Sequence, residues 1–315
     1  MKKNNPEITV ALIIIFFIIS IRNSSNAEKP AINDVNKSKT TVKIANKSTN
    51  NIIAVDVYTA RGANQNKMPG KIPPAVVFFH GFMQKAGDNS GWGKILADKG
   101  FTVFMPSLKS SLFKSNIDER LSDAHRVIEF ARDYKPSGNG NEALTSDTSM
   151  ALMGYSSGGL VALRVSSFAG IKTVIGLDAV LSSGPPWSRK ISIPQDEAER
   201  ITVPVLLIEA PPQSCNSHRD DGFTVYNAIS SVVKARLLLY EGSHCDFTNN
   251  GLLCATACGF ADENRKKAVV DTAVAWLSYF LKEDGALFEK NFRLGPGKKT
   301  AGDRLLVIDM KPPVR

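Results

Sequence analysis

One short segment restricts this chain more than any other. Gly154-Tyr155-Ser156-Ser157-Gly158 fits G-x-S-x-G, and Gly159 follows directly. It lies between the apolar run Ser149–Gly154 and Ser157–Ala169, whose apolar residues suit a helix. A strand must therefore turn sharply into a helix at Ser156, with glycines where side chains would strike neighbouring backbone. A serine on such a turn projects its hydroxyl. The helix N-terminus offers N–H groups and a positive dipole end to a developing anion. Ser156 is the expected nucleophile. Ser157 is the rival hydroxyl, and the glycine spacing favours Ser156.

The surroundings extend this pattern. Continuous apolar runs at Ala75–Phe79, Phe101–Met105, Thr173–Leu177, Val203–Ile208 and Ala235–Tyr240 suit strands covered on both faces. Trp92–Lys99, Asn116–Tyr134, Gly222–Val233 and Asn264–Leu281 read as helices between or after them. The alternation predicts an α/β fold with a mostly parallel central sheet and helices on both faces. No linker divides the 315 residues into two cores. Residues 51–285 are read as one domain, preceded by a polar stretch at 28–50 with an edge strand at Thr41–Ala45. Residues 286–315 form a C-terminal extension in which Leu305–Asp309 could add a late strand.

The first 27 residues read as an address. Met1-Lys2-Lys3 precedes the 14-residue apolar run Ile8–Ile21, and Ser25-Asn26-Ala27 supplies small residues before Glu28. The run is shorter than the roughly 18 residues of a spanning helix, and the layout is that of a cleaved secretory signal, with a retained anchor as the alternative. The expected location is secreted or periplasmic, with no stable membrane span after cleavage. Export makes the even count of cysteines, Cys215, Cys245, Cys254 and Cys258, a disulfide signal. Three pairings are open. No C-x-x-C spacing suggests zinc, and neither metal nor organic cofactor is expected.

The formal net charge is +9, of which Lys2, Lys3 and Arg22 against Glu7 put +2 in the leader, leaving +7. The basic residues are scattered, with no stripe interleaved with aromatics, so nucleic acid is not an expected partner. A monomer is expected.

A serine hydroxyl needs a base. Four histidines are present. His244, in Glu241-Gly242-Ser243-His244, follows a late strand at the carboxyl edge where such sheets build sites. It is the expected base. His125 falls within a helix, and His218 in a polar loop. The acid must lie between serine and histidine in chain order. Asp178 ends the strand Thr173–Leu177 and ranks first. Asp220 and Asp221 lie beyond the strand Val203–Ile208, the commoner place, but well past its end. His80-Gly81-Phe82 follows the strand Ala75–Phe79. The Phe82 and Ser157 backbone N–H groups are the expected oxyanion donors, with His80 anchoring the loop. Met83 and Trp187 are candidate lining residues of a substrate pocket.

With HGF at 80–82, GYSSGG at 154–159, IGLDAV at 175–180 and GSHCDF at 242–247, the chain resembles the α/β-hydrolase superfamily. Within it the chain is most similar to the chlorophyllase, platelet-activating-factor acetylhydrolase and dienelactone-hydrolase-like esterases, and in outline to bacterial polyester-degrading cutinases. The resemblance covers about residues 50–283. Chlorophyllase-like members place the acid after the same strand, as D-P-V, where this chain has Asp178-Ala179-Val180. They carry G-H-S-R-G-G, where this chain has Gly154-Tyr155-Ser156-Ser157-Gly158-Gly159. The resemblance implies an exported carboxylic-ester hydrolase with a Ser-Asp-His triad and a covalent acyl-enzyme, acting on a small-molecule or polymer ester. A peptidase or amidase of the same fold, and a catalytically silent binding protein, are the competing readings.

Overall fold

The computed structural model describes residues 37–60, 73–109, 117–134, 149–183, 190–191, 193–213, 215–216, 221–249, 251–292, 297, 299–300 and 304–311. The leader, residues 1–27, lies outside them, as do Trp187, His218 and Asp220.

The chain begins with β1 (Lys37–Asn46), β2 (Asn51–Ala60) and β3 (Ala75–Phe79). Then come α1 (Ser90–Asp98), β4 (Thr102–Pro106), α2 (Ile117–Asp133), β5 (Met150–Tyr155), α3 (Ser157–Arg164) and β6 (Ile171–Leu177). Two short paired strands, β7 (Ser182–Ser183) and β8 (Lys190–Ile191), precede α4 (Gln195–Glu199), β9 (Val205–Glu209), α5 (Asp221–Ala228) and β10 (Lys234–Leu239). The chain continues with α6 (Gly251–Cys258), α7 (Glu263–Lys282), α8 (Gly285–Phe292), β11 (Lys299–Thr300) and β12 (Leu305–Lys311).

Among the described residues the main sheet has ten strands, in the order β1-β2-β4-β3-β5-β6-β9-β10-β12-β11. The six strands from β4 to β10 in that order run parallel. The pairs β1·β2, β2·β4, β10·β12 and β11·β12 are antiparallel. The expected mostly parallel sheet with helices on both faces is what forms. Every residue of β3, β4 and β5 is buried, because each strand is covered twice. Alternate side chains go to opposite layers. Val76 and Phe78 pack with Trp92, Leu96, Val269 and Trp276 from α1 and α7. Val77 and Phe79 pack with Ala124, Val127, Leu160 and Val161 from α2 and α3.

The sheet also takes in segments on both sides of residues 51–285. β1 pairs with β2 along its whole length, from Lys37↔Ala60 to Asn46↔Asn51. Among its described side chains Ile44 and Asn46 are the buried ones, and its lysines suit an exposed edge that must not recruit another strand. At the other end β12 pairs with β10, from Leu239↔Leu305 to Lys234↔Lys311, and buries Leu305 and Val307. Among the described residues no helix is long and apolar enough to cross a membrane.

The four cysteines form two disulfides, Cys215–Cys258 and Cys245–Cys254. The first spans 43 residues and the second 9. Such bridges fit an oxidising compartment.

Candidate active site

The strand-to-helix turn is built as its glycines require. A Cβ on Gly154 would come within 2.1 Å of the Gly158 carbonyl oxygen, and one on Gly158 within 2.2 Å of the Phe79 carbonyl oxygen. The N-terminus of α3 therefore lies directly against the exit of β3. Ser156, between the two elements, has φ 56° and ψ −125°. That left-handed conformation is costly for a residue with a Cβ, and such strain concentrates at functional sites. The turn is held by Ser156 N donating to Leu177 O (3.0 Å), with Gly159 N and Val180 N donating to Ser156 O.

Three side chains from three loops meet here. His244 Nε2 lies 3.1 Å from Ser156 Oγ, and His244 Nδ1 lies 2.6 Å from Asp178 Oδ2. All three residues are buried. Asp178, just past β6, also has positive φ, 40°, which turns its carboxylate off the strand end. The carboxylate accepts from Ala210 N at Oδ1 (2.9 Å) and from Asn216 Nδ2 at Oδ2 (3.0 Å). Asp221 opens α5, but its side chain lies outside the described residues.

His244 starts a short 3-10 turn, His244–Phe247. The turn is tied down by Asp246, whose buried carboxylate accepts from Ser243 N, Asp262 N and Arg265 Nε at 2.7–2.8 Å. The Tyr155 ring lies 4.7 Å from the imidazole, centroid to centroid. Burial, with a smaller contribution from Asp178, pushes the Tyr155 hydroxyl far above its ordinary range, so it remains a neutral wall of the site.

Phe82 and Met83 form an exposed turn after β3, 40% and 60% accessible respectively. Met83 has φ 57°. Gln84 folds back under the turn, with its Oε1 accepting from Gly81 N and Asn89 Nδ2. Gln84 Nε2 donates to Thr248 Oγ1, which donates to Asn89 Oδ1. This ring of three side chains joins the Phe82 turn to the segment after His244. Ser157, as the first residue of α3, has no intrahelical acceptor for its N–H. Its hydroxyl accepts from Arg120 Nη1 at 3.3 Å, which draws it toward α2. Arg120 is buried, and among the described residues Nε and Nη2 have no partner. Burial lowers its pKa to about 10.

The remaining histidines take other parts. His80 Nδ1–H donates to Gly81 O (2.7 Å), and His80 Nε2 accepts from Leu108 N (2.9 Å). That pattern requires the neutral ring. Burial, the largest cause, lowers its pKa from 6.5 to about 4 despite the bond to Gly81. Between these values the unfolded chain binds a proton that the native state does not, so stability rises with pH across the window. His80 should therefore contribute about 3 kcal/mol that is fully present above pH 6.5 and lost as pH falls to 4. Urea unfolding midpoints at pH 7 and about 4.5 should drop more in the wild type than in His80→Asn. Equal drops would contradict the assignment. His125 is exposed on α2, 5.5 Å from the Phe168 ring.

Sequence reasoning did not single out Gln84, Asn89, Arg120, Gln213, Asn216 or Thr248. Each acts across a separation that no local pattern displays. Among the described residues, Cys245, Cys254 and Cys258 could gather around a metal, their sulfurs lying within 4.8 Å of one another. All three are in disulfides and are not available as thiolates.

No curated protein matches the chain. The family described as PET hydrolase-like matches residues 67–301, a span running from before β3 to just past β11. Its members are serine hydrolases that cleave esters on the α/β-hydrolase fold, the sheet and helix order seen here. With three quarters of its length in that match, the chain belongs to the PET hydrolase-like family.

Proposed function

We propose that the protein is an exported carboxylic-ester hydrolase working through Ser156, His244 and Asp178. The observation that supports this most is the continuous chain Ser156 Oγ, His244 and Asp178, with steps of 3.1 and 2.6 Å. His244 Nε2 takes the Ser156 proton as Oγ attacks the ester carbonyl carbon. Asp178 holds the imidazole by its Nδ1–H and stabilises the cation that forms. The Phe82 and Ser157 N–H groups stabilise the oxyanion, and the dipole of α3 assists. The intermediate collapses by expelling the alcohol, which takes the proton from His244. Water, activated by the same imidazole, then attacks the acyl-enzyme and releases the acid.

The exposed apolar turn Phe82–Met83 beside the site suits an acyl or aryl group, whether on a small ester or a polymer chain. The leader at residues 1–27 and the two disulfides support export. The mature chain should hydrolyse p-nitrophenyl acetate, butyrate and octanoate, with the rate depending on acyl length. It should leave the matching p-nitroanilides nearly untouched. Anilide cleavage at rates comparable with the esters would favour an amidase. Absence of turnover on the whole series would refute the hydrolase reading.

A further inference from the structure

We propose that Asn216 is a positioning residue for the Asp178–His244 pair, and that the Cys215–Cys258 bridge acts on the reaction through it. The proposal rests on the triad reading given above.

Rotation of an aspartate about its last torsion is soft, so a buried carboxylate keeps one orientation only if both oxygens are held. Ala210 N holds Oδ1. Oδ2 receives two donors, His244 Nδ1 and Asn216 Nδ2. Asn216 is 4% accessible, and bonds in so dry a place are stronger than bonds in water. Its amide is fixed in turn, because Nδ2 also donates to Pro211 O (3.0 Å) while Oδ1 accepts from Gln213 N (2.6 Å). That set of partners leaves one assignment of nitrogen and oxygen.

The loop after β9 therefore grips both partners of the serine. Through Ala210 and Asn216 it holds the acid. Through Gln213 it holds the base, since Gln213 Oε1 accepts from His244 N (3.2 Å) and Nε2 donates to Gly242 O (3.1 Å). Pro211 and Pro212 have no N–H to tie the loop elsewhere. Cys215 precedes Asn216 directly and is joined to Cys258 at the end of α6. The bridge fixes the end of the loop that carries the amide.

Asn216→Ala should lower kcat by about 10²-fold with KM unchanged, the scale on which small misplacement of a catalytic group acts. It should also shift the downfield proton resonance of His244 Nδ1–H. Cys215→Ser/Cys258→Ser should lose activity similarly, and adding Asn216→Ala to it should cost little more, because the two act in series. Asp178→Asn serves as the reference. If it is inactive while Asn216→Ala keeps wild-type kcat and the wild-type resonance, the role of Asn216 is refuted and the triad stands. If Asn216→Ala lowers only the melting temperature, Asn216 is structural and the proposal fails. If Asp178→Asn turns over like wild type, the triad reading fails and takes this one with it.

Discussion

Ser156→Ala should reduce ester turnover by about 10⁶-fold, the loss expected when a triad nucleophile is removed. The reason is geometric. Among the described residues, only Ser156 combines a hydroxyl 3.1 Å from His244 Nε2 with the strained turn that points it there. Ser157 lies one residue on, but its hydroxyl is engaged by Arg120 Nη1. The contribution proposed for it is the backbone N–H at the start of α3, which survives substitution. Ser157→Ala should therefore keep most of the activity. The pair of variants separates side-chain chemistry from backbone chemistry, and circular dichroism of both should match the wild type. A Ser156→Ala variant with turnover near the wild type would contradict the reading.

Asp178→Asn should cost about 10⁴-fold in kcat by stabilising the wrong imidazole tautomer. An amide can accept at one atom only. Here the atom at the Oδ2 position faces two donors, His244 Nδ1 and Asn216 Nδ2, and the other faces Ala210 N. Whichever way the substituted amide is turned, its NH₂ group must meet a donor. With the NH₂ at the Oδ2 position, His244 Nδ1 must accept from it, which puts the imidazole proton on Nε2, where the ring can no longer accept from Ser156. Asp221→Asn should be mild. An active Asp178→Asn beside an inactive Asp221→Asn would move the acid to the β9 side of the site.

Much of this arrangement was legible in the sequence, for physical reasons that differ between its parts. The parallel strands announce themselves because burial on both faces demands unbroken apolar runs, as in Ala75–Phe79 and Thr173–Leu177. The sharp turn at Ser156 announces itself because Gly154 and Gly158 must let backbone approach within van der Waals reach. β1 was only partly visible, because an edge strand with a single fully buried apolar residue, Ile44, carries little hydrophobic pattern. β12 was visible as an apolar run, but its place beside β10 was not, since antiparallel addition at a sheet's far side follows from no local rule. The β9 loop was hardest. Its lack of a carboxylate made Asp178 the expected acid, yet nothing in Ala210–Asn216 marked Asn216 as a donor to Asp178 or Gln213 as an acceptor from His244. Those roles depend on contacts across 38 and 31 residues. The cysteine count implied bridges but could not choose among three pairings.

The central claim is that Ser156, activated by His244, forms the covalent bond to substrate. Reaction of the mature protein with a fluorophosphonate, followed by peptide mass mapping, tests it most directly. One adduct is expected, on Ser156, formed in step with the loss of esterase activity and absent from His244→Ala over the same time. An adduct on Ser157, or full inactivation with Ser156 unmodified, would contradict it.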